Sequence, residues 1–133
     1  MRPLIDTNIL SELMRREPNP RVLAWACKQP GFLLSVITVD ELTFGLAKKP
    51  MPMKAHWLED FIEQQCEILS ITPSVARCSG AMRGRFAARG IARHPFDMLI
   101  AATALMRKVP LATRNEADFT GCGITIINPF SSD

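Results

Sequence analysis

Several residue types that common active sites require are scarce in this sequence. Only two histidines, His56 and His94, occur in 133 residues, so catalysis by a pair of imidazoles would need both of them. No GxGxxG or P-loop motif is present, and Gly80, Gly84 and Gly90 are scattered along a predicted helix and its end. A histidine-based catalytic pair and a dinucleotide or nucleoside triphosphate site are therefore poorly supported.

Paired cysteines and long apolar runs are also missing. The four cysteines form no CxxC motif and have no adjacent histidine that would favour a nucleophilic role. The apolar runs FLLSVITV and MLIAATALM are shorter than the roughly 18 to 20 residues that span a bilayer. The sequence also begins without a charged and then apolar leader. We therefore expect free thiols, a cytoplasmic location and no membrane anchor.

Length, hydrophobicity and charge narrow the kinds of fold and binding partner that the protein can have. The 133 residues, 47% of them hydrophobic, predict a single globular domain over residues 1–133. The formal net charge of +3 permits nucleic-acid binding through a local patch but does not by itself argue for it.

Short strand-like runs alternate with helical patterns along the chain. The predicted strands are RPLID, FLLSVIT, CEILSI, VPLAT and ITIIN. The predicted helices are TNILSELMRR, NPRVLAWACKQ, VDELTFGLAKK, AHWLEDFIEQQ, the segment from Thr72 to Gly90 and the segment that Asp97 opens, and PMPMK reads as a loop or hinge. This alternation predicts an α/β fold with a central, mostly parallel sheet of four to five strands, covered by helices on both faces.

Acidic residues follow several of the predicted strands. Asp6 ends the first strand, Glu41 lies within the first turn after the second, and Asp97 starts the helix before the fourth. The loop TRNEADF after the fourth strand contains Asn115, Glu116 and Asp118. In open parallel sheets the ligand crevice borders the carboxyl ends of the strands. Several carboxylates there would raise one another's pKa unless a cation neutralised them. Oxygen ligands without histidine or cysteine favour Mg²⁺ or Mn²⁺.

Helix capping is the competing interpretation of each acid. The segment from Thr38 to Glu41 matches a capping box, in which Glu41 would bond to the backbone N–H of Thr38. Asp6 and Asp97 would each cap the helix that follows. Capping does not explain why these acids should meet in one crevice with Asn115 and Thr113. That expected convergence favours the metal site.

Motifs over nearly the whole chain resemble a known family. They are LIDTNILSELMR with PNPRVLAW, LSVITVDELTFG, FDMLIAATAL, ATRNEADF and the closing INPF. Together they resemble the PIN-domain ribonucleases of VapBC-type toxin–antitoxin systems, particularly the VapC/FitB-like branch. The resemblance implies a PIN-like domain in which Asp6, Glu41 and Asp97 form the acidic metal-binding set. Where the family pattern often has a further Asp, this chain has Asn115, which leaves Asp118 or Glu116 as substitutes.

The resemblance also implies a reaction and a role for each site residue. We expect a Mg²⁺-dependent endoribonuclease, with Mn²⁺ as an alternative ion, that hydrolyses tRNA or another structured RNA and leaves 5′-phosphate and 3′-hydroxyl ends. Asp6 and Asp97 would bind the ion, Glu41 would bind it or act as base, Asn115 would offer an oxygen, and Thr113 would hold water or phosphate.

Basic residues are the candidates for binding RNA phosphates. Arg114, beside Asn115, has the best claim by position. The further candidates are Lys48, Lys49, Arg83, Arg85, Arg89, Arg93, Arg107 and Lys108, for which a solvated surface is an equally good interpretation. Trp25 and Trp57 are expected in the core or at a dimer interface.

The resemblance implies partners as well. They are a cognate VapB-like antitoxin and promoter DNA contacted through the antitoxin. Apolar residues in excess of one small core, including several methionines, also suit a homodimer. The alternative function is a catalytically weak PIN scaffold that acts mainly as the partner of a DNA-binding regulator. The substitution at Asn115 keeps this alternative open.

Overall fold

In the described part of the chain, five short strands form one parallel sheet. The computed structural model describes residues 1–131, and its strands are β1 (Leu4–Ile5), β2 (Phe32–Ser35), β3 (Cys66–Leu69), β4 (Leu111–Ala112) and β5 (Ile126–Ile127). Their order across the sheet is β3-β2-β1-β4-β5, and every neighbouring pair is parallel. The strand order therefore reverses at β1, and a crevice is expected beyond the carboxyl ends of β1 and β4. The predicted α/β architecture is confirmed.

Within residues 1–131, six α-helices and one 3-10 helix accompany the strands. The α-helices are α1 (Thr7–Leu13), α2 (Pro20–Cys27), α3 (Val36–Lys48), α4 (Pro52–Gln65), α5 (Pro73–Ala88) and α6 (Pro95–Arg107), and the 3-10 helix covers Glu116–Phe119. Asn19 and Thr72 cap α2 and α5 as predicted, each accepting backbone N–H bonds and each followed by proline at the first helical position. No helix within residues 1–131 is long and apolar enough to cross a membrane.

The starts of α3 and α4 differ from the predicted boundaries. Ser35 ends β2, and its hydroxyl accepts a bond from the backbone N–H of Ile37 at 3.0 Å, so residues 36–38 begin α3 instead of extending the strand. Pro52 occupies the first position of α4, where proline is well tolerated, so most of the predicted PMPMK loop is helical. The 3-10 helix at Glu116–Phe119 was not predicted.

Helices cover both faces of the sheet. Successive residues of a strand point to opposite faces, and in β1 Leu4 packs into one apolar core whereas Ile5 packs into another. The core around Leu4 includes Phe86 of α5 and Met98 of α6. The core around Ile5 is formed with side chains of α1 to α4, such as Leu10 of α1. The central strands are therefore buried on both faces, as apolar runs without alternation predict.

Candidate active site

Asp6 lies at the point where the strand order reverses. Its backbone N–H bonds to the carbonyl of Ala112, so the carboxyl ends of β1 and β4 are joined there. The side chain is only 5% exposed, and its Oδ1 accepts a bond from the backbone N–H of Thr7 at 2.8 Å. Asp6 is therefore the N-cap of α1, as the capping interpretation proposed.

The second carboxylate oxygen of Asp6 belongs to a polar network. Asp6 Oδ2 accepts bonds from the hydroxyl of Thr113 at 2.8 Å and from Asn8 Nδ2 at 3.1 Å. Burial raises the pKa of Asp6, the bonds from Thr113 and Thr7 offset part of the rise, and the charge of Glu41 adds to it. The carboxylate is thus fixed in orientation by donors but lies among acidic neighbours.

Asn8 connects the loops that follow β1 and β4. Besides donating to Asp6, its side-chain Oδ1 accepts a bond from the backbone N–H of Arg114 at 3.0 Å. The hydroxyl of Thr113 in turn accepts a bond from the backbone N–H of Asn115 at 3.0 Å. The position of Asn115 therefore depends on contacts that reach back to α1. Asn8 was not among the predicted site residues.

Glu41 is held by Thr7 and not by a capping box. Thr38 lies inside α3, since Ser35 is the N-cap, and the predicted bond from Glu41 to the N–H of Thr38 is absent among the described residues. Instead, Thr7 Oγ1 donates to Glu41 Oε1 at 2.6 Å. Glu41 is the sixth residue of α3, one turn later than predicted, and its side chain still lines the crevice near Asp6.

Asp97 lies in the first turn of α6 and is not its N-cap. His94 takes that position, and its Nδ1 accepts a bond from the backbone N–H of Phe96 at 3.1 Å. Burial raises the pKa of Asp97 to about 6; the charges of Asp6 and Asp118 act in the same direction, and His94 opposes them. Asp97 is therefore a half-buried carboxylate beside other acids.

One open crevice collects most of the predicted site residues. Its volume is about 600 Å³, and the predicted residues that line it are Asp6, Glu41, Asp97, Arg114 and Asn115. Thr113 is fully buried and does not line the crevice, but its hydroxyl donates a hydrogen bond to Asp6, which does. The lining also contains five residues that were not among the predicted site residues: Thr7, Asn8, Ser11, Glu12 and Arg15.

The two candidate substitutes for a fourth acid lie outside this lining. Asp118 is close enough to raise the pKa of Asp97, but it is not part of the crevice wall. Glu116 Oε2 accepts a bond from Asn128 Nδ2 at 2.8 Å and is thereby engaged elsewhere. Arg93 donates to the backbone carbonyls of Asp118 and Thr120, so this predicted phosphate contact holds the loop instead.

Uncompensated negative charge characterises the crevice. Within residues 1–131, none of the three carboxylates of Asp6, Glu41 and Asp97 forms an ion pair with a lysine or arginine. Arg114, the basic residue predicted to bind RNA, places its guanidinium over the ring of Phe130 at 4.6 Å. In the same described part of the chain, no three acidic, cysteine or histidine side chains are already grouped closely enough to enclose an ion.

Comparisons with known proteins agree with this architecture. A model of the PIN domain family matches residues 4–120. The chain is 34% identical to the plasmid stability protein StbB of Pseudomonas syringae pv. tomato, over 97% of this chain and 99% of that protein. It is 33% identical to the VapC ribonuclease Y4jK of Sinorhizobium fredii, over 96% of both chains. The solved structure of FitAB bound to the IR36 DNA fragment contains a chain with 31% identity and a TM-score of 0.82, covering 98% of this chain and 96% of that one.

Proposed function

The chain belongs to the PIN domain family, and on that premise we propose that it is a Mg²⁺-dependent endoribonuclease and the toxin of a type II toxin–antitoxin system. Its substrate would be tRNA or another structured RNA, and cleavage would inhibit translation in the cytoplasm. One observation carries the proposal. Asp6, Glu41 and Asp97 come from three separate elements, line one open crevice and have no basic ion-pair partner within residues 1–131.

The chemistry of this donor set fits a hard divalent cation. The side chains facing the crevice offer carboxylate, amide and hydroxyl oxygens, without histidine or cysteine. Repulsion among the acids contributes to the raised pKa of Asp97, and a cation would relieve it. Mg²⁺ commonly uses only one or two protein carboxylates together with water and substrate phosphate. An open crevice without a closed three-ligand cage therefore suits Mg²⁺ or Mn²⁺.

The surrounding residues orient the carboxylates for hydrolysis. Thr113 and Asn8 hold one oxygen of Asp6, and Thr7 holds Glu41. When bound, the ion would lower the pKa of a water molecule and neutralise charge on the phosphate. Asp6 and Asp97 would hold the ion, and Glu41 would hold it or accept the proton of the attacking water. As the family resemblance implies, water would attack the phosphate and the 3′-oxygen would leave, so the products would have 5′-phosphate and 3′-hydroxyl ends.

A second candidate function rests on Asn115. Its amide lines the crevice without adding negative charge, and the two nearby acids lie outside the crevice wall. Fewer charges weaken the attraction for a second cation. This observation favours a catalytically weak scaffold that acts mainly as the partner of a DNA-binding regulator.

The proposed partners follow from the relatives and from exposed apolar side chains. The FitAB structure contains a two-protein complex bound to DNA, and we propose a VapB-like antitoxin that contacts promoter DNA for this chain too. Phe44 is 65% exposed and Met53 is 87% exposed. We propose that the antitoxin or a second copy of the chain covers these side chains.

Cleavage assays with purified protein test the main proposal. The chain, freed of any partner, is incubated with total tRNA and a broad RNA pool in Mg²⁺, in Mn²⁺ and in excess EDTA, beside Asp6→Asn and Asp97→Asn. Asp40→Asn, at an exposed position of α3 outside the crevice, is the matched control. We expect the native chain and the control to cleave RNA in Mg²⁺ or Mn²⁺. Excess EDTA, and each of the two crevice substitutions, should abolish cleavage.

Two results would change the conclusion. Products with cyclic phosphate ends would contradict metal-assisted attack by water. Folded protein that cuts no RNA with either ion, and that fails to arrest growth when expressed, would favour the scaffold function.

A further inference from the structure

A second cavity adjoins the acidic crevice and has the opposite charge. Its volume is about 540 Å³, and it shares Arg15 with the lining of the crevice. The remaining residues around it are Arg16, Glu17, Met51 and Lys54, so three basic residues face one acid. We call Arg15, Arg16 and Lys54 the basic trough. The surface thus changes from negative to positive at Arg15.

Arg15 is held in place at this border. Glu12 is only 7% exposed, and its Oε2 accepts bonds from Arg15 Nη1 at 3.0 Å and from the backbone N–H of Asn19 at 2.8 Å. The side-chain hydrogen bonds of Arg15 in the described part of the chain use Nη1 alone. A guanidinium has five N–H donors, so those on Nε and Nη2 are not used by Glu12. Arg15 is therefore oriented by a buried acid while 62% of its side chain is exposed.

The other two cations of the basic trough are not neutralised. Arg16 and Lys54 form no ion pair within residues 1–131. Lys54 also lines a third cavity of about 290 Å³, which includes Lys49 and reaches back to Glu41. Positive charge therefore continues from the rim of the crevice across the start of α4.

We propose that the basic trough binds the phosphates that lie on one side of the scissile bond of the RNA. The inference rests on the proposed nuclease function and adds the path of the substrate. An RNA strand is a continuous chain of negative charges, so a phosphate in the acidic crevice is followed by others that need cationic contacts. Arg15, Arg16 and Lys54 are placed to receive them. Such contacts fix the register of the strand and carry little sequence information.

Three basic residues outside these cavities provide a matched comparison. Arg21, Lys28 and Arg77 are exposed and line none of the three cavities, so their substitution removes the same charge elsewhere. The trough variant is Arg15→Gln/Arg16→Gln/Lys54→Gln, and the control is Arg21→Gln/Lys28→Gln/Arg77→Gln. Glutamine is a good helix former, which limits effects on the helices that carry these residues. Circular dichroism and thermal unfolding check that both fold.

The experiment uses single-stranded RNAs of increasing length around one fixed cleavage bond. Binding is measured with the Asp97→Asn background, and cleavage is measured with the intact crevice. Extension on one side of the bond should strengthen binding by the parent chain and by the control, but not by the trough variant. Loss of three phosphate contacts should reduce the slope of log affinity against log salt concentration by about 2. Between about 50 and 200 mM salt, the affinity of the parent chain should therefore fall roughly 20-fold more than that of the trough variant.

The outcomes separate this inference from the proposed function. If the parent chain cuts no RNA, the nuclease proposal fails, and the binding series still tests the trough. Equal salt slopes and equal length dependence in the two triple variants would overturn the trough. A trough variant that keeps RNA binding but loses binding of a polyglutamate peptide would overturn it too, because the surface would then favour an acidic protein segment.

Discussion

Replacing Asp97 with asparagine should stabilise the metal-free protein while removing cleavage. Burial and the charges of Asp6, Asp118 and Glu41 raise the pKa of Asp97 from 3.8 to about 6, so the ionised form is disfavoured in the folded state. Between these two values the folded chain binds a proton that the unfolded chain has released. Stability therefore falls as pH rises from about 4 to 6 and stays at the lower level above 6.

The size of the effect follows from the shift. A rise of about two pKa units corresponds to about 3 kcal/mol at most. Asp97 is only half-buried, and solvent screening reduces this to about 1 to 2 kcal/mol. For a chain of this length, that range corresponds to a rise in Tm of roughly 4 to 10 °C. Asparagine keeps the shape of the side chain and removes the charge.

Thermal unfolding in excess EDTA at pH 4 and at pH 7.5 measures the effect. Asp97→Asn should have a higher Tm than the native chain at pH 7.5, and the difference should nearly vanish at pH 4. Asp40→Asn should show neither change. An Asp97→Asn protein that is equally or less stable at pH 7.5, or a gain that persists at pH 4, would refute the electrostatic reasoning.

Three further substitutions test the surroundings of the crevice. Asn115→Asp should tighten Mg²⁺ binding, measured by calorimetry, and lower the metal-free stability by about 1 kcal/mol, since it adds one exposed charge of the same sign; unchanged Mg²⁺ affinity would contradict a ligand role. Asn8→Ala should cost about 1 to 3 kcal/mol in urea unfolding because it removes one donor to the buried carboxylate of Asp6 and the acceptor of the Arg114 backbone N–H. It should also lower kcat more than it raises KM. Ser35→Ala should cost about 1 kcal/mol of stability through loss of the N-cap of α3; no loss would show that the cap contributes little.

The sequence predicted the fold and the meeting of the acids because both follow from local patterns. Apolar runs mark the strands, and parallel strands bring their carboxyl ends to one edge. The start of α3 was missed because residues 36–38 are β-branched and read equally well as strand. The contacts of Asn8 with Thr113 and Arg114 join residues more than 100 positions apart. No local pattern contains that information, and the same applies to the basic trough.

Capping and metal binding are not exclusive explanations of Asp6. One of its carboxylate oxygens caps α1, and the other is held by Thr113 and Asn8 at the crevice. This one residue therefore links the start of a helix to the position of a carboxylate oxygen at the crevice. The capping interpretation is therefore confirmed, and metal binding by Asp6 stays a prediction that the cap does not oppose.

Asp97 differs because the structure removes its capping explanation. His94 caps α6, and the carboxylate of Asp97 has no hydrogen bond or ion pair within residues 1–131. The helix dipole favours an acid in the first turn by about 0.3 to 1 kcal/mol. The pKa of about 6 shows that burial and acidic neighbours outweigh this gain. A charged group kept where it costs stability is typical of functional sites, and here the acids that raise its pKa include Asp6 and Glu41 of the same crevice.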